Sequence, residues 1–151
     1  MRTWVVAIVA TVLAFTAPAM SAERGTPEQA KALVERAVQH IAAVGKEKAF
    51  EDFNDPKGKF VEGDLYIFVE DMTATTIAHG ANKALMGKPL YDLKDADGKF
   101  FAREFIQVAQ TSGEGWVTYK WPNPVSKKIE DKAAFIRKVD DMIVGCGAYK
   151  S

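Results

Sequence analysis

The run GWVTYKWPNP, residues 115–124, is a short strand with a hard stop. Aromatic and β-branched residues fill Trp116–Trp121, and Pro122 and Pro124 break the run because neither can donate to a ladder. Alternation puts Val117, Tyr119 and Trp121 on one face and Trp116, Thr118 and Lys120 on the other. Ser126-Lys127-Lys128 caps a hairpin, Ala133–Val139 is the next strand, Asp140-Asp141 is a tight turn, and Met142–Tyr149 is the last strand. Strands in hairpin succession pair antiparallel.

Upstream, Leu65-Tyr66-Ile67-Phe68-Val69 is an apolar run that reads as a buried strand. Asp71–Thr73 turns it into a second strand, Thr75–His79. A loop with Gly80, Asn82, Gly87 and Pro89 follows, then a turn at Asp95-Ala96-Asp97-Gly98. Phe100–Gln110 has helical spacing, with Phe101, Phe105, Val108 and Ala109 as its inner face. The chain's first element is a longer helix. TPEQ, residues 26–29, is a capping box, and Ala30, Leu33, Val34, Ala37, Ile41 and Val44 recur at spacings of three and four. Gly45 ends or loosens it, and Lys46–Phe53 forms a second, short helix before the turn at 54–58. The expected fold is α+β: a five-stranded antiparallel sheet, the long N-terminal helix on one face, and a helix and loop over the other. A pocket between sheet and cover is the natural binding site.

The ends and the charge balance set the setting. Arg2 precedes an uncharged 12-residue run, Trp4–Phe15, and small residues follow at Pro18, Ala19, Ser21 and Ala22. That pattern reads as a signal peptide over residues 1–22, too short to span a bilayer, with residues 23–151 as one exported domain, periplasmic or secreted. The chain has 20 Lys and Arg against 20 Asp and Glu, and removing residues 1–22 takes away only Arg2. Nothing in that balance steers nucleic acid or anionic lipid toward it. One cysteine, Cys146, excludes an internal disulfide and reads as a small core residue. No nucleophile elbow, phosphate loop or Cys/His pair is present, so no enzyme is expected. Leu93, Asp95, Asp97, Gly98 and Glu104 imitate a calcium loop, but leucine stands where the first ligand belongs, and neither metal nor cofactor is expected.

AHGANKALMGKPLYDLKDADGK (residues 78–99) and GWVTYKWPNP resemble, in order and spacing, a single Cache domain of the second type, and the resemblance runs from Thr26 to Tyr149. It implies a PAS-like sheet and an extracytoplasmic sensor whose ligands are small carboxylates. It also singles out Lys132, at the start of the strand after the hairpin, as the carboxylate partner; without it, Lys132 reads as a solvated surface lysine. Arg103 is a second cation, able to grip a carboxylate with two bonds or to pair with a surface acid such as Glu104 or Asp97. Tyr119 and Trp121 either wall the pocket or pack the core. His79, closing the second strand, donates to a ligand or helps hold the covering loop. Phe135 stands where the family often has tyrosine, which removes a hydroxyl from a position that could contact ligand. The chain ends at Ser151, so the expectation is a stand-alone member signalling through a separate sensor kinase, chemoreceptor or transporter. The alternative is a non-catalytic interaction module with a vestigial pocket, dimerising through the N-terminal helix.

Overall fold

The computed structural model describes residues 24–150; the signal peptide expected over residues 1–22 lies outside them. Helix α1 (Pro27–Val44) begins at the capping box: Thr26 Oγ1 accepts from the Gln29 amide at 3.2 Å, and the Gln29 side chain accepts from the Thr26 amide at 2.8 Å. Gly45, at a φ of 85°, ends it, and α2 (Lys46–Phe53) follows at once. The buried stripe is Ala30, Leu33, Val34, Ala37 and Ile41. Burying a side chain such as Leu33 contributes about 1.5–3 kcal/mol, so packing, not propensity, holds this helix in place.

The remaining elements are β1 (Val61–Glu62), β2 (Leu65–Tyr66), β3 (Phe68–Asp71), β4 (Thr76–His79), α3 (Phe101–Thr111), β5 (Glu114–Pro122), β6 (Ile129–Val139) and β7 (Met142–Tyr149). The main sheet runs β4-β3-β7-β6-β5, antiparallel throughout. Helices α1 and α2 pack on the face that carries Val69, Ala78, Phe135, Val144, Cys146 and Ala148. Helix α3 and Leu90 pack on the face that carries Phe68, Tyr119, Ala134, Ile136, Ile143 and Tyr149. This is the α+β arrangement expected, with the long helix on one side and the helix and loop on the other.

Some boundaries differ. The Leu65–Val69 strand is two pieces interrupted at Ile67, and the first piece pairs with β1, a strand too short to show any periodicity. β6 begins at Ile129, so Lys132 sits inside the strand and not at its start. Val108 is only half-buried, and Ala102 and Ile106 join the inner face of α3.

The segment between β4 and α3 crosses the sheet face from one edge strand to the other. At the β4 edge, the Leu90 amide donates to the Ala74 carbonyl at 2.8 Å and the Gly87 amide to the Thr76 carbonyl at 2.8 Å. At the β5 edge, Asp95 Oδ2 accepts from the Lys120 amide at 2.9 Å and the Lys99 ammonium donates to the Thr118 carbonyl. Both exposed edges are thereby partly covered.

Two glycines of β7 make this face possible. A Cβ on Gly145 would lie 2.2 Å from Cζ of Phe68, and one on Gly147 would lie 2.4 Å from Cε of Lys132. Gly145→Ala is expected to displace the Phe68 ring and destabilise the domain by about 1–3 kcal/mol. Urea unfolding of the variant against the parent measures it; an unchanged midpoint would show that the ring moves freely.

Candidate ligand-binding site

Lys132 faces Tyr149 across the β6–β7 ladder, and its stem crosses β7 above Gly147. Only 1% of it is exposed. Its Nζ donates to Tyr66 Oη at 2.8 Å; the Tyr66 and Tyr149 hydroxyls are 3.1 Å apart; Tyr149 Oη donates to the Pro122 carbonyl at 2.8 Å. Since Tyr149 gives its single proton to Pro122, Tyr66 is the donor between the two hydroxyls. The Nζ lies 4.2 Å from the Tyr66 ring centre, 5.1 Å from Tyr149, 5.4 Å from Phe68 and 5.8 Å from Tyr119. Among the described residues no carboxylate forms an ion pair with it. An ammonium has three N–H donors, and the protein engages one.

Lys132 opens on a chamber between sheet and cover, walled also by Phe68, Glu70, His79, Leu90, Phe101, Phe105, Tyr119 and Trp121. Its free volume is about 10 Å³, room for one water. A second depression of about 270 Å³ lies outside it and shares His79 and Trp121 as a common wall. Phe101 stacks on Tyr119 at 4.6 Å and 9°, and meets Trp121 edge-on at 5.1 Å. Tyr119 and Trp121 therefore wall the chamber and pack the core at once, so the two alternatives were not exclusive.

His79 Nδ1 accepts from the amides of Ala81 at 3.2 Å and Asn82 at 2.9 Å, so the ring proton sits on Nε2. Burial, then the charge of Lys132, lowers its pKa to about 3, and the ring is neutral at physiological pH. The histidine thus holds the start of the cover and still presents an N–H. Glu70, 2% exposed, has no partner for Oε2 among the described residues. Burial and then Asp71 raise its pKa to about 8, against the opposing pull of Lys132.

Arg103 is a correction: it does not line the chamber. Its Nε donates to the Tyr91 carbonyl at 3.1 Å, it pairs with Asp92, and its guanidinium lies 3.8 Å from the Phe100 ring centre. The surface acid it pairs with is on the covering loop and is neither Glu104 nor Asp97. Phe135 is the second correction. Three positions from Lys132, it points to the opposite face, against α1, so no hydroxyl is missing from the chamber. Cys146 is fully buried on that same face, and burial raises its thiol to about 12. The Asp95 loop is a turn: Oδ1 accepts from the amides of Asp97 and Lys99, both at 2.9 Å.

Tyr66, Glu70, Gly147, Tyr149 and Asn123 were missed by sequence reasoning. For Tyr66 and Glu70 the signal existed, since alternation from Phe68 puts residues 66, 68 and 70 on one face. Asn123, 2% exposed, donates to Asp64 at 3.2 Å and to Glu130 at 2.9 Å, and its Oδ1 accepts from the Val125 amide at 2.8 Å. That network fixes the turn whose Pro122 carbonyl receives Tyr149.

Glu70 has a consequence for stability. The folded chain keeps a proton that the unfolded chain releases between pH 4.5 and about 8, so folding takes up a proton there. Stability is present in full below that window and falls as pH rises through it. Glu70→Gln is expected to remove this slope and to stabilise the protein at the upper end by about 2–4 kcal/mol. Chemical unfolding across the window checks it; parallel curves for parent and variant would contradict it.

The family model described as Single Cache domain 2 matches residues 4–151. The sensor histidine kinase MctS of Rhizobium johnstonii is 35% identical over 88 residues, 57% of this chain but only 19% of the kinase. The chain thus spans less than a fifth of that curated relative's length. The crystal structure of a methyl-accepting chemotaxis protein from Vibrio parahaemolyticus superposes with a TM-score of 0.72 at 26% identity, over 81% of this chain and 86% of that one. A periplasmic sensor domain of a chemotaxis protein does so with a TM-score of 0.66 at 27% identity, over 82% and 90%. Among the described residues no helix is long and apolar enough to cross a membrane. A sheet covered on both faces, a chamber on the α3 side and a match along nearly the whole sequence have one explanation: the chain belongs to the Single Cache domain 2 family of extracytoplasmic sensory domains.

Proposed function

We propose that this chain is an exported, non-catalytic sensor of a small organic acid. Residues 1–22 are removed on export. The ligand's carboxylate takes the two free donors of Lys132 and the Nε2–H of His79, and its carbon chain lies against Tyr119 and Trp121. Access is through the wall of His79 and Trp121 that divides the chamber from the outer depression. Occupancy passes to a separate membrane protein, a sensor kinase, a chemoreceptor or a transporter. The sensory kinase and chemotaxis proteins that this chain resembles support that class of partner.

One observation carries the reading: a buried ammonium with no ion-pair partner among the described residues. Taking such a charge out of water costs several kcal/mol. Ring faces return about 0.5–2 kcal/mol each, and one neutral hydrogen bond about 1 kcal/mol. A site of this kind is completed by a carboxylate from solution, which supplies the missing countercharge. The test is titration calorimetry of the mature chain against acids of two to four carbons. Lys132→Met is expected to weaken binding by about 2–4 kcal/mol, with its thermal melt showing a folded domain. Binding that survives the substitution unchanged would remove Lys132 from the site.

The small free volume favours a second reading, an assembly module with a vestigial pocket that pairs through α1. Its outer side carries Glu28, Lys31, Glu35 and Arg36, all exposed. A stable dimer in sedimentation, together with no melting shift from any acid in the panel, would establish it in place of the first.

A further inference from the structure

Two buried side-chain atoms among the described residues have no hydrogen-bond partner: Glu70 Oε2 and Thr76 Oγ1. They are not scattered. Glu70 of β3 and Thr76 of β4 are cross-strand partners, 2% exposed each, on the edge side of the face that holds the chamber. Glu70 lines that chamber, as does Lys132. The two form no ion pair, and Phe68, which lines the same chamber two residues before Glu70, has its ring centre 5.4 Å from the Lys132 Nζ. A buried polar atom left without a partner costs about 1–3 kcal/mol. An apolar residue at position 70 would remove that penalty, so the carboxyl is explained if a ligand group engages it.

We propose that Glu70, backed by Thr76, selects a small acid that also bears a hydroxyl next to its carboxylate, a 2-hydroxy acid, over the plain acid of the same length. This rests on the reading above, in which Lys132 takes the carboxylate. With that end fixed, the neighbouring carbon of a short acid is directed past Phe68 toward Glu70. The groups that face Glu70 are Asp71 on its own strand, His79 on β4, Tyr119 on β5 and Lys132 on β6. In that company the carboxyl keeps its proton at mildly acidic pH, so it has one O–H to give and one carbonyl oxygen to receive. A hydroxyl both accepts and donates and is neutral, so it satisfies both without altering the charge. A keto oxygen accepts only, and an ammonium donates only and requires Glu70 to ionise.

The experiment is calorimetric titration of the mature chain, at mildly acidic pH, with lactate, propionate, pyruvate and alanine. Lactate is expected to bind about tenfold or more tighter than propionate, because a site built to bond a hydroxyl rejects the analogue without it. Glu70→Leu is expected to bring the two within about threefold by letting propionate bind at least as well as before. Glu70→Gln, which keeps both a donor and an acceptor, is expected to retain most of the preference and serves if the leucine variant fails to fold. Propionate matching lactate in the parent, or a preference that survives Glu70→Leu, overturns the assignment to Glu70 and leaves the carboxylate site standing. Tighter binding of pyruvate or alanine than of lactate overturns the hydroxyl assignment. Failure of all four to bind overturns both this inference and the acid-sensing reading.

Discussion

A lysine stem that lies flat across a sheet needs a strand without a side chain beneath it. Gly147 supplies that gap, and everything on the α3 side of this domain follows from the path it opens. Lys132 crosses β7 and delivers its charge to a wall of four aromatic rings, with Tyr66, Tyr149 and the Pro122 carbonyl as a chain of hydrogen bonds behind it. Those bonds run from the ammonium outward and use each hydroxyl proton once. The arrangement fixes the cation while leaving two of its three donors free. Packing alone would place leucine or methionine there, since replacing a buried charge by an apolar residue of similar size is commonly neutral or stabilising.

The same face carries its opposite. Glu70 is held neutral by burial, and on the proposed reading its proton makes it tolerable beside an incoming anion. Ionised, it would oppose any carboxylate brought in by Lys132, because like charges at short range in a dry site repel strongly. His79 is kept neutral in the other direction, by burial and by the lysine. The chamber therefore sets one lysine beside a carboxyl and an imidazole that are both held in their uncharged forms.

Much of this architecture was legible. Capping box, amphipathic stripe, hairpin turns and alternation gave both layers and all five strands of the main sheet, because each is a local signal. Lys132 was legible only through resemblance: a lone lysine among Glu130, Asp131 and Lys138 looks like any solvated one. Its burial is decided by Gly147, fifteen residues away in sequence and adjacent only across the ladder. Arg103 failed for the complementary reason. A cation on a helix turns inward or outward according to which acid is in reach, and Asp92 becomes that acid only once the covering loop has folded back. Tyr66 and Glu70 were present in the alternation but hidden in a run that reads as uniformly buried.

On the proposed reading, the cover explains how so tight a chamber can admit a ligand. It is tied to β4 through Thr76 and to the turn before it through Ala74, and to β5 through Thr118 and Lys120, at the two edges of one sheet. Leu90 of the cover, with Phe101 and Phe105 of α3, closes over the sheet, and room for one water remains. A guest larger than water cannot enter a close-packed space without displacing something. The sheet is continuous and backed by α1, so the cover is the part that yields. Because it is fastened at both edges, displacement at its centre must be taken up at the edge hydrogen bonds or by a shift of α3, both of which lie at the surface. On the proposed reading, a ligand that forces this chamber open thereby shifts groups at the surface, where another protein can read the change.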